Sequence, residues 1–447
     1  MSKKCLKIFE YDTKSINCDA HDFCISDKEA EQLIKLNNKL KKEQLTKSDV
    51  LKFNYRYNKI CSVSTSSYVG AIKVGNKTIQ IMPKIARDLS DNEAEHSDLP
   101  IKNLLYLLSY TKRLKVKETD ISSLRTAKDD FYEVLINLFA KNLLDLTRRK
   151  INREYIQQEE NLCYIRGKIQ INNHTKLNSV SRHKFYVEYD DFSEDNLINQ
   201  IFKYTIILLS RSSRNLNNLK LLQELNFIFS DIPFNSIKSI DFSNIKLNRL
   251  NQDFDPLLNL CKLFIGQSSL ELSSGGLSTY SFVVDMNVLF EEFIGEFIKR
   301  NFRDRYNRIC LQQPCRWLVN DKLVNNTSRG PAFQLRPDIQ LFDFSGQSNP
   351  NIIIDTKYKI LENNDSKKEG VSQSDIYQMN AYSKKYNCSN IILLYPLIIG
   401  HENRNVKMII DDSTNIYIRT VNLCRDIKRN LNELKIELGE ALNLVSH

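Results

Sequence analysis

The sequence lacks the cysteine spacing of a zinc site and any apolar run long enough to cross a membrane. Its ten cysteines include no CxxC pair, and the closest approach, Cys310 to Cys315, has no pair of histidines at zinc spacing. The longest apolar stretch, around 391–399, is interrupted by Pro396. Residues 1–7 carry charge but no apolar segment of a secretion signal. These absences predict reduced structural thiols and a cytoplasmic protein without a membrane partner.

The sequence also lacks a phosphate-binding loop. Residues 70–78 resemble a Walker A loop but have an extra residue before the lysine. Such a loop lies between a strand and a helix, whereas Gly75-Asn76 lies between two alternating segments, 68–74 and 77–82, and predicts a β-hairpin. We therefore expect no nucleotide hydrolysis by this chain itself.

Composition describes an ordinary globular chain, and its net charge suits a polyanionic partner. Of its 447 residues, 41% are hydrophobic and 26% are charged, and the net charge is +10. Residues 276–447 carry 22 basic and 20 acidic side chains, so most of the excess positive charge belongs to residues 1–275.

The pattern along the chain predicts an α/β multidomain fold. We expect a β-rich N-terminal region at 1–95, a mainly helical region at 96–265 and a Gly/Ser-rich linker at 266–278. Residues 279–447 follow the order helix, hairpin, strand, helix, strand, which predicts a compact α/β core around a mixed sheet.

Two acidic motifs in this last region carry the chemistry. Arg336-Pro337-Asp338 closes one strand-like segment, and the apolar run 351–354 leads into Asp355-Thr356-Lys357. Because side chains alternate along a strand, Asp355 and Lys357 point the same way, and Asp338 can join them if the segments pair. Two carboxylates can hold Mg²⁺ while a lysine orients water and offsets phosphate charge. A turn at Pro-Asp and a chance Asp-x-Lys are the alternatives.

Two helices accompany these motifs. Residues 285–300 predict an amphipathic helix with Glu291 and Glu296 at opposite edges of its apolar face and Glu292 in solvent. An edge glutamate is either a third metal ligand or a solvated carboxylate. In the second helix, Asp375, Gln378 and Tyr382 share one face. Gln378 and Tyr382 can hydrogen-bond DNA phosphates or brace the lysine. The alternative is that Tyr382 is an ordinary core residue and Gln378 an exposed helix residue.

Taken together, these residues resemble the McrC family, the nuclease subunit of modification-dependent McrBC-type restriction systems within the PD-(D/E)xK superfamily. The resemblance rests on a linked set of motifs, namely Ile79 to Lys84, Arg166-Gly167-Lys168, Ser193 to Asn199, Arg336-Pro337-Asp338, Asp355 to Lys359, Ser374 to Met379 and Leu394-Tyr395-Pro396. The spacing of Gln378 and Tyr382 also resembles the accessory motif of RecB-like nucleases.

The resemblance implies a Mg²⁺-dependent endonuclease, with Mn²⁺ as a substitute, that cuts double-stranded DNA. It assigns catalysis to Asp338, Asp355 and Lys357, makes Glu291 the helix carboxylate, and gives the metal to Asp338, Asp355 and Glu291. It further implies that an N-terminal region docks onto a McrB-like hexameric AAA+ GTPase. A related subunit of a system that reads an unmodified site, or a catalytically silent DNA-binding adaptor, remain the alternatives.

Overall fold

The structure is a computed structural model that describes most of the chain. The described residues are 5–16, 23–56, 59–89, 99–111, 131–181, 183–235, 237, 242, 244–245, 247–266, 279–314, 316–325, 327–361, 368–398, 401, 403–411 and 414–443. Apart from Gly266, the predicted linker at 266–278 lies outside these residues. No helix among them is long and apolar enough to span a bilayer.

Helices occur in all three predicted regions. They are α1 (Asp27–Lys42), α2 (Leu99–Tyr110), α3 (Phe131–Thr147), α4 (Ile171–Leu177), α5 (Leu197–Ser212), α6 (Leu216–Ile228), α7 (Asp255–Gly266), α8 (Met286–Asn301), α9 (Gln373–Tyr386) and α10 (Leu431–Leu442). The sequence pattern predicts a β-rich region around α1, yet α1 begins with a capping box. Ser26 and Glu29 each bind the other's backbone N–H, which satisfies two free donors of the first turn.

Strands make up most of the remaining ordered structure. They are β1 (Cys5–Phe9), β2 (Thr13–Ser15), β3 (Leu51–Arg56), β4 (Lys59–Thr65), β5 (Tyr68–Val74), β6 (Lys77–Met82), β7 (Glu154–Leu162), β8 (Lys168–Ile169), β9 (Phe185–Ser193), β10 (Thr279–Asp285), β11 (Arg308–Leu311), β12 (Arg316–Val319), β13 (Leu323–Val324), β14 (Thr327–Ser328), β15 (Ala332–Leu335), β16 (Ile339–Phe342), β17 (Ile352–Thr356), β18 (Asn390–Leu397), β19 (Asn405–Asp411) and β20 (Thr414–Asn422).

The chain divides into two compact units whose limits differ from the predicted domains. Unit one combines Met1–Phe131 with Ser269–His447, and unit two is Tyr132–Ser268. The N-terminal region belongs with the C-terminal one because β5 pairs with β10 along its whole length. An alternating strand pattern does not reveal its pairing partner, so the sequence order suggested separate domains.

A four-stranded sheet in the order β1-β6-β5-β10 forms the N-terminal part of unit one. β5 and β6 make the predicted hairpin around Gly75-Asn76, so the segment that resembles a Walker loop is not one. Gly70 lets β10 approach closely, because a Cβ atom there would lie 1.9 Å from the carbonyl oxygen of Phe282. Leu33, Leu36 and Leu40 of α1 pack in the apolar core of this region.

A six-stranded mixed sheet in the order β11-β16-β17-β18-β20-β19 forms the other part of unit one. β17, β18 and β20 run parallel, and the other neighbours are antiparallel. On α9, Met379, Tyr382 and Tyr386 share a buried apolar cluster with β17, β18 and β20, and each fully buried apolar side chain of this size contributes about 1.5–3 kcal/mol. Most of the apolar run at 351–354 thus belongs to β17, and most of the apolar stretch around 391–399 belongs to β18.

A short ribbon between β11 and β16 leads into the motif that contains Asp338. Its strands β12 and β15 pair with each other and expose Trp317 and Phe333. The base of the ribbon is tied to α9, since the Tyr386 hydroxyl donates a hydrogen bond to the carbonyl oxygen of Leu335 at 3.2 Å.

Unit two contains α3 to α7 and a three-stranded antiparallel sheet in the order β7-β9-β8. Its long helices α3, α5 and α6 lie in the region 96–265, which is predicted to be mainly helical. The sheet is a correction, because a mainly helical region is predicted there. β7 carries Gln157, Gln158, Glu159 and Glu160 and exposes most of its side chains, so it has no apolar alternation to detect.

The cysteines agree with the predicted thiols at most described positions. Those at positions 5, 61, 163, 261, 310, 388 and 424 are thiols. Cys24, just before α1, is disulfide-bonded, which corrects the expectation at that position.

Candidate active site

The two aspartates meet because β16 and β17 are antiparallel. The register pairs Ile339 with Ile354, so the residue before Ile339 lies beside the residue after Ile354. Asp338 therefore lies directly before β16, whereas the sequence pattern suggested that it closes the preceding strand. The pairing of the segments that carry the two acidic motifs is the arrangement that the prediction required.

Asp338 is held by the end of β17. Its Oδ2 atom accepts hydrogen bonds from the backbone N–H of Thr356 at 2.7 Å and from the Thr356 hydroxyl at 2.8 Å. These bonds fix one carboxylate oxygen of Asp338 in a partly buried position. Thr356 thus positions the Asp338 carboxylate, a role that the sequence pattern did not predict.

Asp355 and Lys357 lie on the same side of the strand end, as predicted. Lys357 Nζ is 2.5 Å from Asp355 Oδ2, and the Asp355 side chain is only 2% exposed. The backbone N–H of Lys357 donates to the carbonyl oxygen of Leu394 at 2.9 Å, which extends the pairing with β18 by one residue. The Lys357 ammonium is thereby held over the carboxylate and stays partly open to solvent.

The electrostatics of the site disfavour two negative charges. Burial, and then the charge of Glu291, raise the pKa of Asp338 to about 7. Burial, and then the charge of Asp338, raise the pKa of Asp355 to about 7 although Lys357 opposes the shift. Burial alone would lower the pKa of Lys357, but the neighbouring carboxylates outweigh it and raise that pKa. A cation placed between the two carboxylates would relieve this repulsion.

Glu291 approaches the pair from α8. A cavity of about 200 Å³ beside Asp338 is lined by Glu291, Glu292, Gly295, Glu296 and Gln312, among others. Glu292 is half-buried against this cavity, whereas helix periodicity predicted that it points to solvent. The apolar face of α8 is as predicted, with Leu289, Phe290, Phe293, Ile294, Phe297 and Ile298 all inaccessible to solvent.

Gln312 is a second residue of the site that the sequence pattern did not predict. Its Nε2 atom donates to Glu291 Oε1 at 2.5 Å, and its Oε1 atom accepts from Arg336 at 2.7 Å. Its backbone N–H also donates to the carbonyl oxygen of Asp338 at 2.8 Å. Gln312 connects the helix carboxylate to the loop of Asp338. A polar pair before Pro314, directly after a strand, is the sequence signal for such a residue.

The three residues on one face of α9 contact the segment 357–359 or the loop of Asp338. Gln378 Oε1 accepts from Lys357 Nζ at 3.3 Å, and its Nε2 donates to the Tyr382 hydroxyl at 2.8 Å. The Tyr382 hydroxyl donates to the carbonyl oxygen of Arg336 at 3.2 Å, and Asp375 forms an ion pair with Lys359 at 2.9 Å. Tyr382 and Asp375 are buried. These contacts favour bracing of the lysine over direct contact with DNA.

The donor set is composed of oxygen atoms. Within the described part of the chain, no group of three or more His, Cys, Asp or Glu side chains could hold a metal ion as the side chains are placed. Two carboxylates at the open end of a sheet suit an ion that keeps several waters and also binds its substrate, which is the habit of Mg²⁺.

The chain is similar to components of one kind of restriction system. Residues 63–396 match the profile of the family described as "McrBC 5-methylcytosine restriction system component". The Type IV methyl-directed restriction enzyme EcoKMcrBC of Escherichia coli (strain K12) is 22% identical over 316 residues, which cover 68% of this chain and 87% of that protein.

Solved structures show the same similarity. One is a refined half-complex from a tetradecameric assembly of Thermococcus gammatolerans McrB AAA+ hexamers with bound McrC, with a TM-score of 0.71 at 24% identity, covering 96% of this chain and 99% of that chain. Another, the McrBC complex of the same organism, gives a TM-score of 0.53 at 28% identity and covers 67% of this chain and 88% of that chain.

Proposed function

The chain belongs to the family of McrBC 5-methylcytosine restriction system components, as an McrC-type member, and we propose that it is the nuclease subunit of its system. In this proposal it hydrolyses phosphodiester bonds of double-stranded DNA. The observation that carries the proposal is the junction of β16 and β17, where Asp338, Asp355 and Lys357 converge.

Mg²⁺ is the proposed cofactor, with Mn²⁺ as a substitute. The residues fit it, because two carboxylates with raised pKa values offer hard oxygen ligands and lack a compensating cation other than Lys357 in the described structure. Asp338 and Asp355 would hold the ion, with Glu291 as a third carboxylate. Bound there, Mg²⁺ would lower the pKa of a water molecule and stabilise negative charge on phosphate oxygens.

The protein's own groups supply orientation and charge. The Lys357 ammonium donates hydrogen bonds toward the open side of the sheet and offsets the charge that develops on the phosphate. Gln378 limits the motion of this ammonium, and Tyr382 holds Gln378 in place. Thr356 and Gln312 fix the loop that contains Asp338, so the carboxylates are preorganised before DNA binds.

The proposed partner is a McrB-like AAA+ GTPase hexamer. The chain supplies no phosphate loop at 70–78, since these residues form a hairpin, and the similar chain of Thermococcus gammatolerans is bound to McrB AAA+ hexamers. In this proposal the partner selects and translocates DNA in the cytoplasm, while this chain cuts it.

Reconstitution tests the proposal. The full chain is copurified with the AAA+ protein of its own system and incubated with GTP and methylated or unmethylated duplex DNA, in Mg²⁺ or in excess chelator. We expect double-strand cleavage of methylated DNA only in Mg²⁺ or Mn²⁺, and not in Ca²⁺ alone. Cleavage in excess chelator would overturn the metal mechanism. Cleavage of unmethylated sites would favour the related system, and DNA binding without cleavage would favour a silent adaptor.

A further inference from the structure

A carboxyl group in the N-terminal region reaches the segment that carries Lys357. Glu10 follows β1 and is fully buried. Its Oε1 atom accepts a hydrogen bond from the Tyr358 hydroxyl at 2.7 Å and another from the backbone N–H of Lys84 at 2.8 Å. The backbone N–H of Glu10 donates to the carbonyl oxygen of Met82 at 2.9 Å, which anchors the residue to β6.

Tyr358 stands between this carboxyl group and the candidate site. It directly follows Lys357 and is 3% exposed. Its ring lies 5.7 Å from the ring of Phe290, the residue before Glu291 on α8. Any displacement of Tyr358 would therefore move the backbone of Lys357 and press on the helix that carries Glu291.

Lys84 holds the same tyrosine from a second direction. Its Nζ atom donates to the carbonyl oxygen of Tyr358 at 2.9 Å and lies 4.5 Å from the centre of the ring. Burial lowers the pKa of Lys84, although the charge of Glu10 opposes this shift. A buried acid and a half-buried base thus bind the hydroxyl and the carbonyl of one residue, which restricts both its side chain and its backbone.

Core packing alone does not account for this arrangement. The Glu10 Oε2 atom is buried and has no hydrogen-bond partner in the described structure, and burial raises the pKa of the carboxyl group to about 7. An apolar side chain in this position would avoid that cost. A carboxyl oxygen, in contrast, can bind the tyrosine hydroxyl and the backbone N–H at once.

We propose that Glu10 is a positioning residue for the nuclease reaction, which acts through Tyr358 to fix Lys357 and the end of β17. The inference rests on the proposed function, because it concerns the same site. It makes residues from the two ends of the chain parts of one catalytic apparatus, although Glu10 touches none of the reacting groups.

The test removes the hydroxyl of Tyr358 and leaves its ring. Tyr358→Phe removes a hydroxyl that donates a 2.7 Å hydrogen bond to Glu10. It is compared with Tyr68→Phe, which removes the hydroxyl of another buried tyrosine, one that accepts a 2.7 Å hydrogen bond from the backbone N–H of Lys47. Single-turnover cleavage, the apparent KM for DNA and stimulation of GTP hydrolysis are measured in the assembled complex. We expect Tyr358→Phe to lower the cleavage rate about tenfold with KM and GTP hydrolysis unchanged, since small misplacements of reacting groups cost rate. Tyr68→Phe should lower none of the three.

Substitution of Glu10 gives the second measurement. Glu10→Ala should show the same loss of cleavage rate, and Glu10→Gln should recover it to within about twofold, because an amide oxygen can accept both hydrogen bonds. A wild-type rate for Tyr358→Phe, or equal losses in Tyr358→Phe and Tyr68→Phe, would overturn the inference. If the wild-type complex itself cleaves no DNA, the proposed function fails instead.

Discussion

The six-stranded sheet of unit one carries a buried ion pair, whereas the three-stranded sheet of unit two carries an exposed one. In the first, Asp355 is almost fully buried beside Lys357 and its pKa is raised to about 7. In the second, Asp191 pairs with Arg166 at 2.8 Å in the open, with side chains 39% and 45% exposed. Solvent screens the second pair, whereas burial of the first costs free energy, and a reaction at this site would account for the retention of that costly pair. Burial of charge therefore marks chemistry better than the presence of an ion pair.

The largest expected effect on cleavage distinguishes the buried Asp355–Lys357 pair from the exposed Asp191–Arg166 pair. Asp355→Ala should abolish cleavage, a loss on the order of 10³-fold or more, because it removes a metal ligand and the partner of Lys357. Asp338→Ala and Lys357→Ala should be equally severe, and Glu291→Ala milder. Cleavage is measured in the assembled complex, with GTP hydrolysis as the control for assembly.

Asp191→Ala is the matched control for this comparison, since it removes an aspartate from an ion pair of similar length on an exposed strand. It should leave cleavage unchanged. If Asp355→Ala cleaved as fast as Asp191→Ala, the candidate site would be assigned to the wrong residues.

The next effect concerns stability and pH at Glu10. Its pKa is about 7 in the folded protein and 4.5 in the reference state. The pKa of Glu10 is higher in the folded protein than in the reference state. The contribution of Glu10 to the free energy of unfolding is therefore complete below about pH 4.5 and is lost as pH rises through 7, by about 3 kcal/mol at most. Glu10→Gln cannot ionise and should lack this loss.

Urea denaturation between pH 5 and pH 8 measures how the free energy of unfolding differs between the wild type and Glu10→Gln. The aspartates of the site contribute equally to both proteins, so the difference isolates Glu10. Parallel curves would show that the buried carboxyl group does not titrate in this range, and the contrast between buried and exposed charge would weaken.

The smallest effect concerns the helix that braces the lysine. Gln378→Ala should lower the cleavage rate about tenfold, because Lys357 loses a hydrogen-bond acceptor that limits its motion. Gln200→Ala, which removes a glutamine bonded to Asp195 at 2.6 Å on the surface of unit two, should have no effect on rate. A rate for Gln378→Ala equal to that of Gln200→Ala would assign Gln378 to ordinary helix surface.

The sequence predicted the parts of the site that depend on local pattern. The apolar run before Asp355 predicted β17, and the spacing of Asp375, Gln378 and Tyr382 predicted their common face on α9. It could not give the pairing of β5 with β10, since strand alternation is silent about partners. For the same reason it could not place Glu10 beside Tyr358, a contact between residues 348 positions apart.

Other structural elements have weak sequence patterns or patterns that the prediction did not use. The capping box of Ser26 and Glu29 marks the start of α1, yet the surrounding strand pattern dominated the prediction. The β7–β9 sheet left a weak signal, because β7 carries a polar run at 157–160 and β9 mixes aromatic and acidic residues on both of its faces. Exposed strands are therefore the elements that are hardest to predict from the sequence.

The ribbon of β12 and β15 gives the protein an intrinsic optical probe. Trp317 is the sole tryptophan of the chain, is 38% exposed, and lies on the ribbon whose second strand leads to Asp338. Indole emission depends on the polarity around the ring, so unlabelled protein reports events next to the site. The same signal belongs wholly to unit one. An unfolding curve followed by fluorescence will therefore describe that unit, and the melting of unit two must be followed by circular dichroism.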